Sequence, residues 1–176
     1  MEAPAPEIRR AFFALWLPPV CAGSLLAQAR PWGGRPMHAA DLHLTLAFLG
    51  DLAPAACLRL QALAGGLALP PCELAFTALD YWAHNRVLWA RLADWPAPMA
   101  EFTRQLHDAL RQAGFRLDPR PFQPHVTLAR AAPAPHAPLP PVADVPAWRV
   151  EGWRLAASTR AQRPGAPRYA PVARWP

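Results

Sequence analysis

Residues 41 to 50 read Asp41-Leu42-His43-Leu44-Thr45-Leu46-Ala47-Phe48-Leu49-Gly50, and their central pattern returns later in the chain. The second copy reads Pro124-His125-Val126-Thr127-Leu128-Ala129-Arg130. Both copies contain His-x-Thr-Leu, with polar and apolar residues alternating at the period of a β-strand. The His and Thr of each copy therefore point the same way, about 6.6 Å apart at a rise of roughly 3.3 Å per residue. We expect Leu44, Leu46 and Phe48 to face the opposite side, in a core.

A single histidine in an apolar strand is more often a structural residue than a catalyst. Two copies of one motif in the same strand context favour a functional interpretation instead. Two His-Thr pairs could together bind a single phosphate-sized group, because each pair spans only one step of strand alternation.

The two motifs resemble the signature of the 2H phosphoesterase superfamily, and specifically that of the bacterial RNA 2′,3′-cyclic phosphodiesterases, also called 2′-5′ RNA ligases. The resemblance extends over nearly the whole chain. It includes Arg9 or Arg10 followed by Phe12-Phe13-Ala14-Leu15, and the central strand Arg86-Val87-Leu88-Trp89. The sequence departs from the family in its Pro/Ala-rich stretch after the second motif and in its lack of lysine. Neither departure touches a motif.

Hydrophobic patterning predicts an alternation of strands and helices. We predict strands over residues 9–17, around each motif, and over 72–79, 86–92, 148–158 and 168–175. The predicted helices cover residues 20–30, 52–67 and 96–115, with Gly114 at the end of the third. Residues 131–147 are proline-rich and are predicted to form an extended surface connection.

The periodicity alone indicates the α+β class. The resemblance implies more: a bilobal fold of two antiparallel sheets with outer helices, related by a pseudo-two-fold axis across a central cleft. We therefore expect residues 1–176 to form a single domain of two interleaved lobes, with one motif in each, at residues 43–46 and 125–128.

The resemblance also implies roles for the motif residues. His43 is expected to be the proton donor to the leaving oxygen, and His125 the proton acceptor that activates water. Thr45 and Thr127 are expected to donate hydrogen bonds to phosphate oxygens. Arg130 is a further candidate for phosphate or base contact, although strict strand alternation puts it opposite His125 and Thr127. Phe12, Phe13, Phe48 and Trp32 could stack on a nucleobase, but core packing is the favoured interpretation for them.

Composition limits the class of protein. All 18 basic residues are arginines and 12 residues are acidic, which gives a net charge of +6. GC-rich coding explains the choice of arginine, and the excess charge still favours phosphate-bearing partners.

Three cysteines without C-x-x-C spacing favour a reduced, cytoplasmic protein. No long apolar run or export leader is evident, and the six histidines show no metal-ligand spacing. We expect a monomer that uses no metal or other cofactor and binds no membrane.

The leading hypothesis is the hydrolysis of RNA 2′,3′-cyclic phosphate ends to 2′-phosphomonoesters by metal-independent acid–base catalysis. The resemblance also implies ATP-independent 2′-5′ ligation, and no phosphate-binding G-x-x-x-x-G-K-[ST] loop is present. Two alternatives stay open. One is a non-catalytic module that binds RNA or phosphate, and the other is a phosphodiesterase for small cyclic phosphates such as ADP-ribose cyclic phosphate.

Overall fold

The computed structural model describes residues 8–158 and 165–176. The described residues form ten strands: β1 (Ile8–Trp16), β2 (Arg35–Pro36), β3 (His43–Leu52), β4 (Cys72–Leu74), β5 (Phe76–Trp82), β6 (Val87–Leu92), β7 (His125–Arg130), β8 (Trp148–Val150), β9 (Trp153–Ser158) and β10 (Tyr169–Trp175). Three α-helices accompany them: α1 (Pro19–Ala29), α2 (Pro54–Gly65) and α3 (Ala97–Gln112). Two single 3₁₀ turns, Arg30–Trp32 and Ala39–Asp41, lie between α1 and β3.

The strands form two antiparallel sheets, as predicted together with the α+β class. The large sheet has the order β10-β9-β1-β3-β7-β6-β5, with the short β2 paired to β7, and the small sheet is β4-β8. The two motif strands β3 and β7 are therefore neighbours at the centre of one sheet. The predicted pseudo-two-fold axis and the single domain over residues 1–176 stay predictions, and residues 1–7 and 159–164 lie outside the described part of the chain.

The hydrophobic core lies on one face of the large sheet. Leu44, Leu46, Val126 and Leu128 are at most 1% exposed and belong to the same apolar cluster as the buried residues of all three helices. Since side chains alternate along a strand, this packing directs the intervening His and Thr side chains to the other face. The helices thus cover one face of the sheet and leave the motif face open.

Each helix begins where proline is favoured and buries one apolar side. Proline occupies one of the first two positions of all three helices, where a missing N–H costs nothing. In α3 the buried residues Met99, Phe102, Leu106 and Leu110 recur at helical spacing, as predicted. Gly114, at φ 87°, follows its end and allows Phe115 N–H to donate to the Leu110 carbonyl at 2.9 Å.

Two predicted strands are each divided in the structure. The strand predicted over 72–79 is split between β4 in the small sheet and β5 in the large sheet. The strand predicted over 148–158 is split into β8 and β9 around Gly152, where the Trp175 carbonyl oxygen would lie 2.5 Å from an added Cβ. The hydrophobic pattern did not predict these divisions, because an apolar run has the same pattern whether its two halves belong to one sheet or to two.

The proline-rich connection covers the outer edge of the large sheet. Residues 131–147 form no helix or strand, as predicted. Val142 N–H donates to the Thr77 carbonyl at 2.8 Å, and Leu79 N–H donates to the Pro140 carbonyl at 3.3 Å. The segment thereby satisfies part of the edge of β5, while its prolines have no N–H to offer a further strand.

Candidate active site

The two motifs meet at a single residue pair of the central sheet. Leu44 pairs with Val126, and β3 and β7 run antiparallel. Leu44 and Val126 both point into the core. Their neighbours along each strand therefore point to the open face. Antiparallel pairing sets His43 toward Thr127 and Thr45 toward His125. All four predicted motif side chains therefore converge on one patch of the open face.

His43 is held in an aromatic enclosure. Its ring lies 4.7 Å from that of Phe12, 5.0 Å from that of Trp16 and 5.3 Å from that of Tyr169, measured between centroids. Its Nδ1 is 2.5 Å from the Asp41 carbonyl oxygen. Because a carbonyl only accepts hydrogen bonds, Nδ1 carries a proton, and Nε2 is the nitrogen left for a substrate.

His125 has the same arrangement in the second motif. Its Nδ1 donates to the Gln123 carbonyl at 2.8 Å, again two residues upstream, so Nε2 is again left for chemistry. Its ring lies edge-on to Trp82 at 4.6 Å and to Trp89 at 5.9 Å. The two histidines thus present equivalent nitrogens from two aromatic pockets.

Both imidazoles favour the neutral form in the unliganded site. Burial lowers the pKa of His43 to about 4; the Asp41 hydrogen bond opposes this, and the charges of His125 and Arg130 add to it. Burial also lowers the pKa of His125, against the Gln123 hydrogen bond and with a further contribution from Arg130. A bound anionic phosphate would supply the missing counter-charge and raise both pKa values.

Arg130 lies near both histidines, which strict alternation did not predict. Trp89 pairs with Thr127 and Leu88 with Ala129, so Leu128 is an extra residue that forms a β-bulge. The bulge reverses the alternation after Thr127 and turns Arg130 to the face of His125. The charge of Arg130 lowers the pKa of both histidines, which indicates that it acts on the same patch.

A matching bulge in the first motif corrects the prediction for Phe48. Phe13 pairs with Ala47 and Ala14 with Thr45, which leaves Leu46 as the extra residue. Phe48 was expected in the core, but it is 50% exposed. It pairs with Phe12, whose ring packs on His43, and so belongs to the open face.

The aromatic residues considered for stacking on a nucleobase differ in how far their rings are exposed. Phe13 is fully buried in the core against Trp153, so it is not a stacking surface for a base. Phe12 is 3% exposed and supports the His43 ring. Trp32 stacks on His136 at 5.4 Å, outside the motif strands. Phe48 is thus the candidate with the most exposed ring next to the motif residues.

Three residues whose roles the sequence patterns did not predict surround His43: Asp41, Trp16 and Tyr169. The buried carboxylate of Asp41 accepts hydrogen bonds from the backbone N–H groups of Arg168 and Tyr169, at 2.7 and 3.2 Å. This contact holds Tyr169 against His43 while the Asp41 carbonyl fixes the imidazole. Trp16 is anchored by donation from its Nε1 to the Ala40 carbonyl at 2.7 Å. An acidic residue directly before an apolar strand was the only available signal.

Within residues 8–158 and 165–176, no group of three or more His, Cys, Asp or Glu side chains is arranged to hold a metal ion. No helix in the same residues is long and apolar enough to cross a bilayer.

Two neighbouring strands present His-x-Thr side chains on the open face of an antiparallel sheet whose other face is covered by helices. This arrangement is typical of the two-histidine phosphoesterases. Residues 17–163 match the family model of the 2′-5′ RNA ligase superfamily, and the chain belongs to that family.

Sequence relatives cover most of the chain. The RNA 2′,3′-cyclic phosphodiesterase of Escherichia coli K12 is 32% identical over 173 residues, which are 96% of this chain and 97% of the relative. The RNA 2′,3′-cyclic phosphodiesterase of Thermus thermophilus is 33% identical over 163 residues, which are 85% of this chain and 81% of the relative.

Solved structures agree with these matches. The crystal structure of E. coli LigT in apo form superposes with a TM-score of 0.85 at 32% identity, over 97% of this chain and 98% of that one. The structure of E. coli LigT complexed with 3′-AMP also gives 0.85 at 32% identity, over 96% and 97%.

Proposed function

We propose that the protein hydrolyses RNA 2′,3′-cyclic phosphate ends to 2′-phosphomonoesters. The observation that carries this proposal is the antiparallel meeting of the two motifs, which sets two imidazole Nε2 atoms and two threonine hydroxyls around one phosphate-sized patch. The names of the E. coli and Thermus relatives support the same reaction. We further propose that the protein acts in the cytoplasm, in keeping with three free cysteines.

In the proposed reaction His125 Nε2 accepts a proton from water as the water oxygen attacks phosphorus. The bond from phosphorus to the 3′-oxygen breaks, and His43 Nε2 gives its proton to that oxygen. The products are a 2′-phosphate and a 3′-hydroxyl, and exchange with solvent restores the two protonation states. Thr45 and Thr127 donate hydrogen bonds to the non-bridging oxygens, and Arg130 balances their charge. Two imidazoles supply both proton transfers, so the proposed mechanism uses no metal ion.

The same site could join RNA ends if a 5′-hydroxyl took the place of water. His125 would then accept the proton of that hydroxyl, and opening the strained ring would supply the energy without ATP. We propose this 2′-5′ ligation as a secondary activity of the site.

The experiment that tests the proposed function is incubation with adenosine 2′,3′-cyclic phosphate in excess EDTA, followed by chromatographic separation of 2′-AMP and 3′-AMP. Sustained formation of 2′-AMP is expected. Binding without turnover would favour the non-catalytic module, and formation of 3′-AMP would mean that the 2′-oxygen leaves. A parallel assay with ADP-ribose cyclic phosphate tests the small-substrate alternative.

We predict a bell-shaped pH dependence, since one imidazole must be neutral and the other charged. Both pKa values lie below 6.5 in the free site, so the optimum of kcat/KM should also lie below that pH. The optimum of kcat should lie higher, because bound phosphate raises both pKa values. The measurement is steady-state kinetics over about pH 4 to 9, and the apparent values belong to the coupled pair. A rate that only rises with pH would contradict acid–base catalysis.

The two threonines should contribute less than the histidines. Thr45→Ala and Thr127→Ala each remove one neutral donor, which costs about 1–3 kcal/mol, or about 5- to 150-fold in kcat/KM. Thr→Ser at each position keeps the hydroxyl and serves as the matched control. A serine variant as impaired as the alanine variant would assign the effect to packing of the β-branched side chain.

A further inference from the structure

A basic pocket adjoins the His43 side of the site. It has a volume of about 400 Å³ and lies where the ends of β1, β9 and β10 meet. Its charged lining residues are Arg149, Arg154, Arg174 and a single acid, Glu151, and Trp16 forms the wall that it shares with the His43 enclosure. The pocket is therefore positively charged, and it shares Trp16 with the His43 enclosure.

Arg154 and Arg174 are directly opposite each other on β9 and β10. Their neighbours Trp153 and Trp175 pack together at 5.1 Å in the core, so alternation places both arginines on the open face. Like charges directly opposite across a strand pair are destabilising. Burial lowers the pKa of Arg154, and the charge of Arg174 lowers it further. The fold thus carries an electrostatic cost at this pair.

Among the residues that the structure describes, no carboxylate forms an ion pair with either arginine. Ion pairs there hold Arg91, Arg104, Arg111 and Arg120 against Asp or Glu side chains, but none involves Arg154 or Arg174. The Arg154 guanidinium instead lies 5.1 Å from the centroid of Trp16, whose ring stacks on His43. It is consequently within about 10 Å of the His43 imidazole.

The His125 side of the site differs in its charge. Arg91 pairs across the strands with His125, but its guanidinium forms an ion pair with Asp80. The charge of Arg91 beside His125 is therefore neutralised by an acid, whereas neither Arg154 nor Arg174 has an ion pair within the described residues. A polyanion bound at the phosphate patch would extend in the direction of Arg154 and Arg174.

We infer that Arg154 and Arg174 bind the phosphodiester on the 5′ side of the terminal nucleotide, so that the preferred substrates are RNA chains and not cyclic mononucleotides. This inference rests on the proposed function. The terminal ribose lies on the His43 side because its 3′-oxygen is the leaving group there, and the next phosphate upstream belongs to the same strand. Guanidinium forks bind phosphate oxygens in pairs, and Trp16 holds Arg154 in position.

The test compares three substrates that end in the same cyclic phosphate: adenosine 2′,3′-cyclic phosphate, the ApA dinucleotide with a natural linkage, and that dinucleotide with a neutral methylphosphonate linkage. For the wild-type protein we expect a kcat/KM about tenfold higher on the natural dinucleotide than on the mononucleotide, mainly through KM. The methylphosphonate dinucleotide should lose this preference. Equal preference for both dinucleotides would overturn the inference, because a base or ribose would then supply it.

The variants Arg174→Gln and Arg154→Gln should lower the ratio of dinucleotide to mononucleotide kcat/KM toward one. Arg104→Gln is the matched control, since it removes the same charge from an ion-paired arginine on α3 and should keep the wild-type ratio. A wild-type ratio in both pocket variants would overturn the inference, as would an equal loss on all three substrates. The proposed function fails separately, if no cyclic phosphate is opened at all.

Discussion

Replacing either motif histidine should lower kcat/KM on adenosine 2′,3′-cyclic phosphate by about 10²–10⁴-fold, while the protein stays folded. Each proton transfer in the proposed reaction depends on one imidazole Nε2, and no other group at the patch can replace it. Both rings lie on the open face of the sheet, opposite the main hydrophobic core, so replacing either ring leaves that core intact. The measurement is steady-state kinetics together with thermal unfolding for His43→Ala and His125→Ala.

His43→Asn and His125→Asn sharpen the result, because an asparagine amide can keep the donation to the Asp41 or Gln123 carbonyl but cannot transfer a proton. His84→Ala, in the exposed turn between β5 and β6, is the control for histidine removal and should retain activity. Loss of folded structure in a motif variant would instead favour a structural histidine at that position. Full activity in an asparagine variant would exclude proton transfer there.

The second large effect should distinguish the acid from the base through leaving-group chemistry. A general acid matters most when the departing oxygen is strongly basic, as a ribose hydroxyl is, and little when the leaving group is p-nitrophenolate. On a nucleoside p-nitrophenyl phosphodiester bound with its leaving group beside His43, His43→Ala should therefore regain most of its lost rate. His125→Ala should not, since its water nucleophile is equally weak with either substrate.

The measurement is the ratio of wild-type to variant kcat/KM on the cyclic phosphate and on the p-nitrophenyl ester. Rescue of His125→Ala alone would reverse the assignment of acid and base. Rescue of neither variant would mean that the histidines bind phosphate and do not move protons.

Local chain geometry made the motif face predictable. Strand alternation alone places His43 with Thr45 and His125 with Thr127, because side chains two residues apart always share a face. Their opposite neighbours are apolar, which implied a core beneath both motifs and is confirmed by the burial of Leu44 and Val126. The roles of donor and acceptor stay predictions, since two equivalent motifs carry no information on direction.

Strict strand alternation did not predict the faces on which Arg130 and Phe48 lie. Both follow a bulge, at Leu128 and Leu46, and a bulge depends on how the neighbouring strand pairs. One unpaired residue shifts each later side chain of the strand to the opposite face of the sheet. Arg130, a candidate phosphate ligand, and the exposed Phe48 therefore lie on the open face. The amino-acid composition of the strand itself does not indicate such a bulge.

The sequence by itself determined the two His-x-Thr motifs, the α+β class and the core side of each motif strand, because these depend on residues a few positions apart. Only the tertiary structure decided which distant groups surround the histidines. Asp41 binds the backbone of residues 168 and 169, and Arg154 reaches Trp16 from the far end of the chain. Such contacts arise when β1, β3, β9 and β10 are brought side by side, and strand order is a property of the whole packed core rather than of any single segment.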